Sequence, residues 1–340
     1  MDGYFYALDP VTGKLRWRRR IGPQIASGPA VSNGLVVFGT LEGAKVMALD
    51  ADSGELRWQF YIPGKIHSAP AVFGDTVIIT TMNGIVLSLS LRDGAEKWRY
   101  TPGGMITSSP AVSRDGEVAF FDFLGKVYLL NAATGELIWE ANLNSSATGA
   151  SPVFRNHRIF VGDHQGKVHA LETKTGIELW RTETGDWIHG NLAADQQRVY
   201  AGNKQGKVVA LNQETGDVAW VFQTNGEIYA APSLANGVLY VASVDGFIYA
   251  LDSENGRELW RFTLGKTERA AKFKTLEGFG FGGSGMQFLK RLKRETVFTS
   301  VPRRFVWNLT ARIHRSGARW GLWATRQSEL STNPPGGAFC

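Results

Sequence analysis

Polar and aromatic residues in short loops carry the side chains best suited to chemistry in this sequence. His164 and His189 are metal-ligand types, but no carboxylate stands near them at metal-site spacing, which disfavours a metal site. Trp187 can stack on a flat ligand, anchor a partner or simply pack. Asp163 and Asn203 lie near glycines, where such residues usually bond the backbone of a turn. The candidate partner- or ligand-binding residues are His67, Asp163, His164, Asp186, Trp187, His189, Asn203 and Tyr229.

These loops belong to a repeat. Seven tryptophans recur at intervals of 40 or 41 residues, and each has a glycine four positions before it, as in "TGELIW" at 134–139. The tryptophans are Trp17, Trp58, Trp98, Trp139, Trp180, Trp220 and Trp260, and the glycines are Gly13, Gly54, Gly94, Gly135, Gly176, Gly216 and Gly256. Such regularity predicts a repeat architecture and a structural role for the tryptophans.

Each repeat is predicted to form four short strands. In 147–183, the segments "RIFVGD", "KVHALET" and "IELWRTE" alternate apolar and polar residues, as half-buried strands do, and turn residues separate them. No helical periodicity precedes residue 265. The sequence therefore predicts an all-β propeller of four-stranded antiparallel blades.

The glycine and the tryptophan have separate predicted tasks. Gly176 and its counterparts are placed in the turn between the third and fourth strands, where glycine adopts positive φ without strain. The tryptophan then lies on the outer strand and packs against the neighbouring blade. Burial of one indole stabilises the protein by about 2–3 kcal/mol.

Charge is distributed unevenly along the chain. The formal net charge is +6, yet residues 1–265 contain 23 Lys and Arg against 27 Asp and Glu, whereas residues 266–340 contain 14 against 4. Residues 1–265 therefore lack the basic surface typical of nucleic-acid binding, and we expect no such partner there. The only cysteine, Cys340, excludes an internal disulfide and a cysteine metal site.

The segments "GKVHALETKTGIELW", "GKVVALNQETGDVAW" and "GFIYALDSENGRELW" (166–180, 206–220 and 246–260) resemble the tryptophan-docking repeat of the PQQ-like (quinoprotein alcohol dehydrogenase-like) β-propellers. In size and compact linkers the chain is most similar to the BamB-type outer-membrane assembly proteins. The resemblance covers residues 2 to about 265 and implies the fold more specifically than the function.

Counting strands gives a half blade followed by six full blades over residues 1–265. We expect seven blades, or eight in an intact parent. Because the first unit has only two strands, either the ring closes irregularly or the chain lacks part of its parent, and we favour a truncated or rearranged gene product. Residues 296–301 and 304–310 can be extended but carry no repeat. Residues 266–340 are predicted to be a basic C-terminal extension, poorly ordered or irregular, that can contact anionic surfaces.

The resemblance implies a non-catalytic scaffold that binds a protein through the loops linking its blades, in outer-membrane protein assembly at the cell envelope. The alternatives are a PQQ-dependent dehydrogenase or quinone-binding sensor, and a polysaccharide-binding propeller that uses Trp187 and Tyr229. A dehydrogenase of this family would hold PQQ with calcium, and its alcohol dehydrogenase branch carries an adjacent cysteine pair that this sequence lacks. No residue matches a family catalytic base, so we expect neither enzyme activity nor a cofactor.

Localisation follows only from the resemblance. The sequence shows no secretory signal and no transmembrane segment. The BamB-type family is exported, so the resemblance implies the bacterial periplasm or cell envelope if the N-terminus is truncated.

Overall fold

The computed structural model describes residues 3–22, 25, 27–41, 43–146 and 150–264, together with two short strands at 309–310 and 323–324. Within this part of the chain every regular element is a β-strand. A helix of the length and apolarity needed to span a membrane is not found among these residues.

The strands follow one another in hairpins, because polar turn residues separate short alternating segments. The first unit contains β1 (Tyr4–Leu8) and β2 (Leu15–Arg20), and the next three units contain β3 (Ala30–Ser32), β4 (Leu35–Gly39), β5 (Lys45–Asp50), β6 (Leu56–Tyr61), β7 (Ala71–Phe73), β8 (Thr76–Thr80), β9 (Val86–Ser90), β10 (Glu96–Tyr100), β11 (Ala111–Val112), β12 (Glu117–Phe121), β13 (Lys126–Asn131) and β14 (Leu137–Asn142). The last three units contain β15 (Val153–Arg155), β16 (Arg158–Gly162), β17 (Lys167–Glu172), β18 (Glu178–Glu183), β19 (Ala193–Ala194), β20 (Arg198–Gly202), β21 (Lys207–Asn212), β22 (Val218–Gln223), β23 (Ser233–Ala235), β24 (Val238–Ala242), β25 (Phe247–Asp252) and β26 (Glu258–Thr263).

Strands β3 to β26 form six four-stranded antiparallel sheets of consecutive strands, which we number blades 1 to 6. Strands β1 and β2 form a two-stranded sheet, the half-blade. The predicted all-β propeller of antiparallel blades is confirmed, with six complete units after an incomplete first one. The domain boundary at residue 265 stays a prediction.

Two further strands, β27 (Leu309–Thr310) and β28 (Trp323–Ala324), pair with each other and not with the half-blade. Strand β28 lies beside β23, the first strand of blade 6. The rest of the predicted C-terminal extension, 266–340, and the segment 296–301 lie outside the described residues.

The blades are arranged around a centre formed by their first strands, since β3, β7, β11, β15, β19 and β23 each lie beside the next one in that order. Hydrogen bonds also connect residues that precede four of these strands. The Ala69 N–H donates to Ser109 Oγ, the Ser109 N–H to Ser151 Oγ, and the Ser151 N–H to Asn191 Oδ1, at 2.7–3.0 Å. The side-chain amide of Asn191 therefore accepts the hydrogen bond that serine hydroxyls accept in the earlier blades.

The core lies between blades rather than within them. One apolar cluster, for example, joins Tyr200 and Val208 of blade 5 to Leu239 and Tyr249 of blade 6. Five further clusters join the other successive pairs of units, beginning with the half-blade and blade 1. The fold is held together by contacts that recur at each blade boundary.

Six of the repeated tryptophans close these boundaries. In each case the indole N–H donates to a carbonyl oxygen in the turn of the following unit, at 2.8–3.1 Å. Trp58, for example, is 7% exposed and donates to the carbonyl of Leu91. On its own sheet it lies opposite Ala48.

The glycine of the motif has a second task that the sequence did not reveal. Gly94 has a φ of +75°, as its turn requires. A Cβ placed on it would also lie 2.6 Å from the Trp58 ring, because the ring of one blade packs flat on the glycine of the next. The same overlap, at 2.6–2.7 Å, would occur at each of the other five docked glycines.

The first glycine and the last tryptophan do not take part in this pattern. A Cβ on Gly13 would meet no atom within 4 Å, and Trp260 is 47% exposed. The described residues therefore contain six docking contacts for seven motifs. The glycine and the tryptophan without a docking partner among these residues, Gly13 and Trp260, lie in the first and the last unit of the array.

Replacement of a docked glycine by alanine should cost more than the same replacement at the undocked one. Gly94→Ala and Gly13→Ala both place alanine at positive φ, which costs about 1–2 kcal/mol. Only Gly94→Ala also overlaps an indole, which adds about 1–3 kcal/mol of overpacking. Urea unfolding followed by circular dichroism should therefore give a clearly lower midpoint for Gly94→Ala.

Gly13→Ala is the matched control, because its φ of +67° is close to that of Gly94. Equal losses in the two variants would show that the glycine serves the turn alone and would contradict the docking role.

Candidate functional site

The loop face is the side of the propeller formed by the links between blades and by the turns between second and third strands. Backbone hydrogen bonds of 2.7–3.2 Å join each of five such turns to the link that precedes its blade. The donor and acceptor pairs are Met82–Lys65, Phe123–Met105, His164–Ser146, Lys204–Trp187 and Val244–Glu227. The loops of this face are consequently tied to one another and positioned by the blades beneath them.

Five rings on the loop face form a continuous series, the aromatic ladder, across blades 3 to 6. Its members are Phe123, His164, Trp187, His189 and Tyr229. Successive ring centroids lie 6.1, 4.4, 5.5 and 5.3 Å apart. Four of the predicted site residues thus lie together, and Phe123 extends their series.

The polar atoms of the ladder are incompletely paired. His164 Nδ1 lies 3.2 Å from Ser146 Oγ, whereas its Nε2 is buried without a hydrogen-bond partner in the described structure. Burial lowers the pKa of His164, Asp163 opposes this effect, and Lys204 adds to it. His164 is therefore biased toward the neutral imidazole.

Tyr229, at the other end of the ladder, is held in its protonated form. Burial raises the pKa of its phenol, and the neighbouring carboxylates Glu227 and Asp186 raise it further. Asp186 Oδ1 also accepts a hydrogen bond from the backbone N–H of Trp187 at 2.7 Å, which fixes the start of this loop.

Asp163 lies beneath the loop face and is engaged within the fold. Its carboxylate accepts hydrogen bonds from Ser145 Oγ at 2.5 Å and from the Lys167 N–H at 2.7 Å, and it contacts His169 Nε2 at 3.0 Å. Burial raises the pKa of Asp163, but these hydrogen bonds outweigh burial and lower it. With no exposed surface, the carboxylate stabilises the turn and does not face a ligand.

Asn203 occupies the corresponding position in blade 5. Its side chain donates to the Thr184 carbonyl at 2.9 Å and accepts from the N–H groups of Gln205 and Lys207 at 3.0 Å. Asn203 is fully buried and its contacts are those of a turn residue. His67 is partly buried and lies in the link between β6 and β7.

An open groove of about 570 Å³ adjoins the ladder on the loop face of blades 1 to 3. Its lining residues are Leu41, Gly43, Ala44, Gly64, Lys65, Met82, Asn83 and Met105. The hydrogen bond from the Phe123 N–H to the Met105 carbonyl connects the two regions. Methionine side chains adapt to irregular apolar surfaces, so this groove suits a polypeptide partner.

Two residues of the region were missed by the sequence reasoning. The Lys204 ammonium lies 3.9 Å from the centroid of the Trp187 ring, and nothing in "NKQG" distinguished it from an ordinary surface lysine. His169 lies between Asp163 and Glu178, with 2.7 Å from its Nδ1 to Glu178 Oε1. Alignment of the repeats offers a signal for His169, because Val209 and Tyr249 hold its position in later blades.

A cluster of three or more histidine, cysteine, aspartate or glutamate side chains suited to a metal ion does not occur among the residues that the structure describes. The arrangement of the loop face is that of a packed aromatic surface with unpaired polar atoms, which suits binding.

Comparisons with known proteins relate both the fold and the sequence to one family. The family described as outer membrane protein assembly factor BamB matches residues 1–168, 124–227 and 164–276. The crystal structure of BamB from Moraxella catarrhalis is similar with a TM-score of 0.66 and 21% identity, over 77% of this chain and 82% of that chain. No match was found among curated proteins.

A europium-containing methanol dehydrogenase is also similar in structure. Its TM-score is 0.61 at 14% identity, over 77% of this chain and 75% of that chain. At identities this low, both structural likenesses show the fold alone.

The partial burial of the His164 side chain predicts a pH-dependent stability. The pKa of His164 is lowered in the folded protein. Its contribution to the free energy of unfolding is therefore complete above the ordinary histidine pKa of about 6.5 and is lost as the pH falls toward the lowered pKa. Between about pH 7.5 and 5.5, the urea midpoint of the wild type should therefore fall more than that of His164→Gln.

His157→Asn serves as the control, because His157 is exposed in a turn and asparagine tolerates its positive φ. This variant should keep the pH response of the wild type. An unchanged response in His164→Gln would argue against the buried neutral imidazole.

Proposed function

Because the chain belongs to the family of the outer membrane protein assembly factor BamB, we propose that it is a non-catalytic propeller scaffold that binds partner proteins through the loop face. In this proposal the partners are proteins of outer-membrane assembly at the bacterial cell envelope. The family name and the match to BamB from Moraxella catarrhalis support this partner class.

The observation that carries the proposal is the apolar and aromatic character of the loop face. Phe123 is 41% exposed and Leu124 is 69% exposed, beside the half-buried Trp187. Aromatic side chains dominate the binding energy of protein interfaces, and they do so where neighbouring residues exclude water. The ladder supplies such a centre, and the methionine-lined groove extends the surface.

The polar groups of the face favour binding over catalysis. Asp163 is occupied by hydrogen bonds from Ser145 and Lys167, so it is not positioned as a base for an external substrate. Asn203 is likewise occupied within its turn. A reaction would need a charged or nucleophilic group directed toward the ligand, whereas these two side chains are directed into the fold.

The alternatives from the sequence stay predictions. A PQQ-dependent reaction predicts calcium-dependent binding of PQQ, which absorbance and calorimetric titration of the folded protein would detect. Polysaccharide binding through Trp187 and Tyr229 predicts retention on glycan panels that is lost in Trp187→Ala.

Site-specific photocrosslinking should capture the partner through the loop face. With a photoreactive phenylalanine analogue at position 124, irradiation in envelope extracts should yield a discrete crosslinked protein of outer-membrane assembly, because Leu124 lies exposed beside the ladder. Mass spectrometry of the crosslinked band identifies the partner.

Position 177 provides the matched control. Ile177 is 62% exposed but lies in a turn between third and fourth strands, at the opposite end of the blade from the loop face. Equal crosslinking from positions 124 and 177, or none from position 124, would contradict docking through the loop face.

A further inference from the structure

Lys204 differs from the ion-paired lysines of the propeller because its charge faces two aromatic rings instead of a carboxylate, whereas Lys45 lies over a single ring, that of Tyr61, at 5.0 Å. Its Nζ lies 3.9 Å from the Trp187 centroid and 5.7 Å from that of Tyr229. Lys97, Lys126 and Lys167 pair with Asp75, Glu140 and Glu183, respectively. No ion pair to Lys204 occurs within the described ranges, so a cation held over an aromatic surface has no anionic partner there.

Trp187 differs from the docked tryptophans in the hydrogen bonding of its indole N–H. Each of those six donates its indole N–H to a backbone carbonyl. The Trp187 Nε1 is buried, and no acceptor for it lies in the described structure. An unpaired buried donor loses its hydrogen bond to water without a replacement, so its presence calls for an acceptor from elsewhere.

His164 adds a further donor beside Trp187. We assign the Ser146 hydroxyl as donor to His164 Nδ1, which places the proton of the neutral imidazole on Nε2. This Nε2 is buried without a partner among the described residues. The 4.4 Å between the His164 and Trp187 rings brings two unpaired N–H groups close to the Lys204 ammonium.

We propose that Lys204, Trp187 and His164 form a recognition site for an acidic side chain, Asp or Glu, in a segment of the partner protein. A carboxylate is an acceptor without donors, which matches a site that offers donors and a positive charge. The exposed Phe123 and Leu124, next to His164, take an apolar side chain adjacent to the acidic one. This inference rests on the proposed docking function and specifies the partner chemistry.

Binding requires side chains of the site to move. The two ring nitrogens are closed from solvent in the free protein, whereas the Lys204 side chain is partly exposed. The carboxylate therefore meets Lys204 first, and the rings adjust as it is enclosed. Because the chain has eleven tryptophans, the emission of Trp187 is obtained as the difference between the wild type and Trp187→Phe, and this difference should change on binding.

The test uses the full chain and two acetylated, amidated peptides, one alternating glutamate with phenylalanine and one alternating glutamine with phenylalanine. Calorimetry should show that the glutamate peptide binds at least about tenfold more tightly, as expected for a charge-assisted hydrogen bond. Lys204→Ala should abolish most of this difference by weakening the glutamate peptide alone. Lys204→Arg should restore it.

Two further variants test the contribution of the Trp187 indole N–H and provide a control for the loss of a lysine. Trp187→Phe keeps an aromatic ring but removes the indole N–H, and should weaken the glutamate peptide several-fold. Lys207→Ala is the matched control, because Lys207 is also partly buried and has no ion pair among the described residues, yet it has no ring contact there. It should bind both peptides like the wild type.

Three results would overturn the inference. These are equal affinity for the two peptides, unchanged glutamate preference in folded Lys204→Ala, and displacement of the glutamate peptide by PQQ, which would assign the site to a small carboxylate ligand. If crosslinking from position 124 still captures a partner, only the acidic recognition fails. If crosslinking also fails, the docking function itself is wrong.

Discussion

The packing of one indole on the glycine of the next blade is the constraint on which the propeller depends. The contact needs a tryptophan on an outer strand, a turn at positive φ and an absent Cβ, and the chain supplies these features at six successive boundaries. The hydrogen bond from the indole N–H fixes the angle between neighbouring units as well as their distance. Because each blade is positioned by its neighbour, the loops at the end of each blade are positioned too.

The arrangement of the blades explains how the proposed binding surface is positioned although it consists of loops. In blades 2 to 6, the turn between second and third strands donates a backbone hydrogen bond to the preceding link, as Lys204 does to Trp187. The ladder rings therefore come from the turns of two blades and from two links between blades, without depending on a flexible insertion. A preorganised surface loses less entropy on binding, which favours a scaffold that holds partners in a fixed orientation.

Sequence periodicity predicted the strands, the turns and the incomplete first unit, because these depend on local residue types. It could not predict that Trp58 packs on Gly94 of the following blade, since that contact depends on how sheets are arranged in space. The candidate list included His164, Trp187, His189 and Tyr229, which do come together. It also included Asp163, whose burial beside His169 depends on a side chain from another strand. The sequence did not indicate Lys204, because its position over an aromatic ring and without an ion pair among the described residues depends on its neighbours in space.

The six docked tryptophans and Trp187 differ in whether the indole N–H has an acceptor among the described residues. A docked tryptophan such as Trp98 has both its ring and its N–H satisfied by the next blade, so nothing remains for a ligand. Trp187 packs between His164 and His189, while its indole N–H has no acceptor in the described structure. Stability alone would favour pairing that donor, as the fold does six times elsewhere. An unpaired indole beside an unpaired ammonium is therefore better explained by binding than by packing.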